Sequence, residues 1–378
     1  MLCKSAKIVA FYESIRTIRL SNTYKIPSLL PNLELESKTV LKALVGAHKA
    51  LADLKGIAKT IPNQGILIDT LALQEAQASS EIENIVTTQD QIFQMDPSGR
   101  TFDSASQKEV AQYRAALRCG FDGLIEHENL MTNNTIVAMF QILKGNLGGY
   151  RDMPGIALRN DRTGETVYVP PQGLPVIEAH MTALETFINA ETPDPDPLIR
   201  MALIHHQFES IHPFPDGNGR VGRIINVLYL VQQGLLDTPI LYLSRYITKN
   251  KDQYYNLLQS TRDTGDWEPW LLYMINGVAQ IARETTILIG RIDALMRDYK
   301  HRIRAGHKIY SQELLNNLFR HPYTRIEYVM TELKVSRPTA TRYLDELHKA
   351  GFLERVPSGR NVYYVNAPLA ALFIDGFR

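Results

Sequence analysis

Apolar residues recur at helical spacing through most of the chain. Between residues 38 and 57 they fall at Val40, Leu41, Leu44, Leu51 and Leu54, and between 70 and 85 at Leu71, Leu73, Ala76, Ile82 and Ile85. A repeat of three to four residues predicts two amphipathic helices near the front of the protein. The same texture predicts helices over 109–124 and 133–143, the second stopped by Gly148 and Gly149. It then changes. Gly155-Ile156-Ala157-Leu158-Arg159, a polar turn over 160–165, and Thr166-Val167-Tyr168-Val169 closed by Pro170-Pro171 read as strand, loop, strand. A single hairpin thus interrupts a helical chain. After the proline-rich break at 191–197 a helix restarts over 198–208, another is expected over 224–231, and a long one runs from Trp270 through Ile281, Ile289 and Leu295 to about Arg304.

The last segment has a different pattern. An apolar helix over 326–333 is followed by Lys334-Val335, by Ser336-Arg337-Pro338 as a helix start, and by a second helix to Ala350. Gly351 ends it, and the stretches 352–356 and 362–365, joined by a turn at 357–360, read as two strands. Two helices with a strand pair behind them resemble a winged helix-turn-helix domain. That resemblance nominates Arg337, Thr339, Thr341 and Arg342 on the second helix and Arg360 at the wing tip as DNA contacts. Charge agrees in sign: residues 291–378 hold 15 Lys and Arg against 9 Asp and Glu, in a chain whose formal net charge is +1. Asp345 and Glu346 dilute the positive face of the second helix.

Composition narrows the class. A chain of 378 residues is expected to form two or three units rather than one core. With 44% hydrophobic and 21% charged residues it reads as folded and globular. Its two cysteines, Cys3 and Cys119, lack metal-type spacing and supply no disulfide framework, which suits a reducing cytoplasm. No run approaches the roughly 18 apolar residues of a membrane span, and the short apolar stretch at 8–12 is no signal sequence. Neither secretion nor a membrane partner is expected.

The chemistry concentrates at 212–223, HPFPDGNGRVGR. Gly217 to Gly222 fits G-x-G-x-x-G literally, but the polar lead-in from Gln207 to His212 is no strand, and no βαβ unit surrounds it. A better reading takes the glycines as letting backbone N–H groups converge in a tight turn that opens onto a helix, whose N-terminus attracts anions. Around that turn stand Arg220 and Arg223, Asp216 and His212. Arginine forks pair with phosphate oxygens, an aspartate is a hard oxygen ligand for Mg2+, and an imidazole accepts a proton near neutral pH. Together they describe nucleotidyl or phosphoryl transfer. His205 and His206 raise a zinc reading, but with no H-E-x-x-H pattern they are expected to be core histidines.

This twelve-residue segment resembles the signature loop of the Fic family, with every defining position filled. The resemblance implies a mainly α fold: a helical Fic core over 109–290 with a β-hairpin flap, a helical N-terminal region over 1–108, and a linker helix with a winged helix-turn-helix domain over 291–378. It implies protein adenylylation, the transfer of AMP from ATP to a Ser, Thr or Tyr hydroxyl with release of pyrophosphate. His212 would be the general base and Asp216 the Mg2+ ligand. Asn218 and the turn amides around Gly217, Gly219, Val221 and Gly222 would hold phosphates, Arg220 the β-phosphate region and Arg223 the γ-phosphate. Pro213 and Phe214 would anchor the loop. Residues 154–171 look like the flap, with Thr166, Val167 and Tyr168 pairing main chain to main chain with a protein target. Tyr254, Tyr255 and Arg262 resemble the adenine pocket, although Arg262 stands where family members often place Asn, which leaves base selectivity open. Ser79-Ser80-Glu81-Ile82-Glu83-Asn84 matches the family's inhibitory pattern. On that resemblance Ser79, Glu83 and Asn84 form an inhibitory motif whose Glu83 competes with ATP for Arg223. Self-modification and a homodimer are also implied. An ATP-sensing DNA-binding regulator and an enzyme that removes AMP are the alternative readings.

Overall fold

In a computed structural model the described residues are 25–31, 33–95, 102, 104–159, 164–192, 194–358 and 361–375. Arg360 and the stretch at 8–12 lie outside them. The order is α1 (Lys38–Ala58), α2 (Gln64–Ile82), α3 (Gln89–Phe93), α4 (Ala105–Glu126), α5 (Asn133–Lys144), β1 (Leu158–Arg159), β2 (Thr166–Tyr168), α6 (Leu174–Ile188), α7 (Pro197–Ile211), α8 (Asn218–Gln232), α9 (Ser244–Lys249), α10 (Lys251–Thr264) and α11 (Glu268–Gly306). Then follow α12 (Gln312–Arg320), β3 (Tyr323–Thr324), α13 (Ile326–Leu333), α14 (Arg337–Lys349), β4 (Glu354–Ser358), β5 (Asn361–Val365) and α15 (Ala367–Asp375). The fold is mainly α. No described helix is long and apolar enough to cross a membrane.

Helix ends depart from the apolar periodicity where capping decides. α2 starts at Gln64 rather than near residue 70, because the Asn63 side chain accepts the Gly65 N–H at 3.0 Å. It stops before Ile85, because Asn84 takes a left-handed φ of 63° and turns the chain away. Ser336 precedes α14 but does not cap it with its side chain; its hydroxyl meets Thr339 Oγ1 at 3.0 Å instead.

α7 and α8 are buried almost all round, with Phe208, Ile211, Val221, Ile224 and Leu228 at 0% exposure. They form the centre. α4 packs on α8, α6 on α7, and the 39-residue α11 on α7 and along α1. Trp270 of α11 donates from Nε1 to the Ala202 carbonyl at 2.9 Å and fixes that packing. β1 and β2 pair antiparallel, with an irregular register between Leu158 and Arg159. The C-terminal sheet has the order β3-β5-β4.

Candidate active site

α7 ends at His212, whose left-handed backbone (φ 49°, ψ 58°) reverses the chain while its N–H returns to the Phe208 carbonyl at 2.9 Å. A non-glycine residue held there stores about 1 kcal/mol or more, which the surroundings must offset. Three contacts do so. The Phe214 ring, fully buried, stacks on Phe140 at 4.1 Å between centroids. Asn218 ties the loop across its neck, accepting from the Phe214 N–H and donating to the Phe214 carbonyl, both at 2.8 Å. Arg151, 3% exposed, donates its N–H to Pro213 O and its Nε to His212 O, both at 2.8 Å, and a terminal nitrogen to Pro171 O at the base of the hairpin. One guanidinium thereby couples the loop to the ribbon above it.

Gly217, with φ 82°, starts α8 in a conformation that favours glycine. Gly219 keeps the first turn open, and Gly222 beyond it lets α8 approach α7 closely. A Cβ at Gly219 would lie 2.6 Å from Glu83 Oε1 and 2.9 Å from an Arg223 nitrogen, and one at Gly222 would lie 3.0 Å from Glu209 Oε1. The turn faces a cleft of about 920 Å3 that is also lined by His212, by Leu158 and Val167 of the hairpin, and by Tyr255 and Arg262 of α10.

Arg223, 2% exposed, donates Nε to Ser79 Oγ at 2.8 Å and a terminal nitrogen to Ser79 O at 3.0 Å and Glu83 Oε1 at 2.7 Å. Burial works against its charge, but Glu83 holds its pKa above the ordinary arginine value. The charge is permanent. Glu83 sits just past the end of α2, and the left-handed Asn84 accepts from Lys251 Nζ at 3.2 Å. Behind this pair Glu75 is buried and accepts from Tyr113 OH and the Ser244 N–H, both at 3.0 Å. Burial raises the Glu75 pKa.

His212 has its pKa pushed down to about 4, by burial first and then by the positive charges of Arg151 and Arg262. At neutral pH it is an uncharged imidazole able to accept a proton. Arg220 is 3% exposed, ion-paired with Glu109 and 3.8 Å from Asp216. Asp216 is largely exposed; burial acts to raise its pKa, but Lys144 Nζ at 2.5 Å and Arg220 hold it below the usual carboxylate range. It is ionised at neutral pH and offers a hard oxygen donor. Among the described residues no group of three His, Cys, Asp or Glu side chains could hold a metal ion by itself. A single exposed carboxylate beside an anion seat suits Mg2+, which is commonly shared between one or two carboxylates and substrate phosphates.

Glu83, Glu209, His212, Gly219, Arg223, Tyr254, Tyr255, Arg262, Val167 and Tyr168 all line the one cleft. Several nominated residues are engaged in other ways. Both polar atoms of the buried Asn218 side chain are engaged with Phe214, so what turns outward to a phosphate is its backbone N–H. Val221 is a core residue at 0% exposure. The Tyr254 hydroxyl is engaged with His205 Nε2 at 2.8 Å. Tyr168 anchors the hairpin, donating to Ser210 O at 2.7 Å under the Arg262 guanidinium, which lies 4.1 Å from the ring centroid. Thr166 and Val167 are exposed.

Arg151, Glu75, Glu109, Lys144 and Glu209 escape the sequence reading. Glu75 had a signal: Glu75, Ser79 and Glu83 recur every four residues, on one face of α2 and just past its end. Arg151, alone between glycines and a proline, had none.

Comparison with known proteins agrees with this geometry. Residues 41–122 match the Fic/DOC family N-terminal region, 129–230 the Fic/DOC family itself, and 295–369 the protein adenylyltransferase SoFic-like C-terminal domain. The chain belongs to the Fic/DOC family. A probable protein adenylyltransferase of Aquifex aeolicus is 39% identical over 21% of this chain and 25% of its own length. Protein adenylyltransferase Fic of Aedes aegypti is 23% identical over 54% of this chain and 41% of its own. These matches span a quarter to two fifths of those relatives. A Fic family protein from Desulfovibrio desulfuricans shares the fold at a TM-score of 0.53 and 20% identity, over 89% of this chain and 98% of that one. The lead-in to the Fic loop is helix α7, not a strand.

Proposed function

We propose that this Fic protein transfers AMP from ATP to a hydroxyl side chain of a protein, releasing pyrophosphate, and that Glu83 restrains it. What supports the reading most is a neutral, half-buried His212 on the same cleft as an anion seat made by the α8 N-terminus and Arg223, with Glu83 paired to that arginine at 2.7 Å.

His212 takes the proton of the attacking hydroxyl as its oxygen bonds to the α-phosphorus and pyrophosphate departs. Burial, and then the Arg151 and Arg262 guanidinium groups, oppose protonation of that imidazole beforehand. Backbone N–H groups of the first turn of α8 and the Arg223 fork hold the phosphates once Glu83 has moved aside. Arg220, kept rigid by Glu109, adds positive charge beside Asp216. Asp216 would hold Mg2+ on release from Lys144, and the ion would neutralise developing charge on the leaving phosphates. The exposed Thr166 and Val167 present strand backbone to an extended target segment. Tyr255, 45% exposed, offers an aromatic face to the base.

The test uses ATP labelled at the α- or the γ-phosphorus. The α label is expected on protein and the γ label in pyrophosphate, with His212→Ala lowering transfer by about 10²-fold or more. Label from the γ position on protein would overturn the reaction type.

A further inference from the structure

Glu209 plays no part in the chemistry above, yet it lies one helical turn before His212 and lines the same cleft. It is 7% exposed, and its Oε1 has no hydrogen-bond partner. Groups facing it from each packed element are Glu83 beyond α2, Arg223 of α8, Tyr254 and Arg262 of α10, and His205 and His212 of its own α7. His205, kept uncharged by burial, offers no positive charge, and Arg223 is already engaged by Glu83 and Ser79. A carboxylate ionised in this setting would be an unpaired buried charge directed at the triphosphate seat.

We propose that Glu209 is a proton-linked gate on that seat, carrying a proton while the nucleotide's phosphates are bound and opposing them when ionised. The inference rests on the nucleotide reading above. Its balance is simple: a phosphate chain entering the seat raises the proton affinity of Glu209, and one proton moves from solvent to its carboxylate. By the same linkage, nucleotide affinity falls as pH rises through the range where the empty seat lets Glu209 ionise. Burial first, with the nearby Glu83, pushes that range up to about 7, while Arg223 and Arg262 pull the other way. A positioning role of this kind differs from a packing role because it moves with pH.

ATP binding is measured by calorimetry from pH 6 to 9 in a Glu83→Gly/His212→Ala protein and in the same protein with Glu209→Gln. His212→Ala stops turnover and removes another titrating group of the cleft. The titration of ATP itself is common to both proteins and drops out of the difference. The protein with Glu209 is expected to lose about tenfold more affinity across this range, for each pKa unit that binding adds to the carboxyl, and to take up more protons per ATP in buffers of different ionisation enthalpy. Superimposable pH profiles and proton counts would overturn the gate while leaving the nucleotide reading intact. Absence of ATP binding in both would overturn both. Should the Gln variant not fold, infrared difference spectra of the Glu209 protein at pH 9 decide. A protonated-carboxyl band growing with ATP supports the gate, and its absence removes it.

Discussion

At the scale of single residues, the site depends on which charges burial tolerates. His212, depressed to about 4, is in its proton-accepting form across the neutral range, so the acid limb of kcat/KM is expected below pH 5 rather than near 6.5. Arg151 contributes to that depression, second to burial. Arg151→Gln removes a positive charge that opposes protonation, so the acid limb should move to higher pH; an unmoved limb would show that Arg151 acts on the loop alone. Glu209 has the opposite sign. Its folded value of about 7 exceeds the ordinary 4.5, so the native state binds more protons in that window and loses stability as pH rises through it. Glu209→Gln removes the loss. Its stability should exceed the parent's at pH 8 but not at pH 4, by an amount at pH 8 on the order of 3 kcal/mol, read from denaturant titration. Equal gaps at both values would mark the change as one of packing.

At the scale of elements, α2 matters for where it stops. Asn84, at φ 63°, ends the helix and sets Glu83 toward Arg223. Asn84→Gly suits that conformation and should leave both melting temperature and activity close to the parent. Asn84→Val opposes it by about 1 kcal/mol or more, and should lower the melting temperature while raising AMP transfer, because the carboxylate loses its aim. Rates that fall with stability would separate the helix end from restraint. Helices α1, α5 and α11 were legible because their apolar faces repeat at 3.6 residues, and they lie near where that period places them, whereas α6, α9, α10, α12 and α15 were not read from it. Helix ends were less legible. Asn63 and Asn84 act through hydrogen bonding and φ, which periodicity does not register. The loop at 212–223 stands out in the sequence because its residue types are chemically dense, whereas Arg151 and Lys144 reach it from elements 61 and 72 positions away along the chain. Glu109, 111 positions away, is a further case. Contacts of that separation leave no local mark.

At the scale of the whole molecule, the C-terminal elements are docked against α2 and the segment around α3. Tyr323 donates to Asp90 Oδ1 at 2.5 Å, Tyr363 to Gln94 O at 3.1 Å, and Arg320 Nε lies 3.0 Å from Asp69 of α2. Phe93 fills the joint, stacked on Tyr323 at 5.8 Å and 5.6 Å from Phe373. Arg337, nominated for DNA, is exposed and lies 3.1 Å from Glu327. The Arg320 pair is about a third exposed on each side, so Arg320→Ala should cost no more than about 1 kcal/mol. Phe93→Ala empties a buried ring site and should cost about 3 kcal/mol or more in denaturant titration. A smaller loss for Phe93→Ala than for Arg320→Ala would mean the joint is held by charge rather than by packing.

One structure tests the centre of this account: the Glu83→Gly protein crystallised with ATP. The account places the γ-phosphate on the Arg223 guanidinium vacated by Glu83, the phosphate chain across the first turn of α8, and the α-phosphorus beside His212. Nucleotide bound in any other cleft, with the α8 turn still bare, would contradict it.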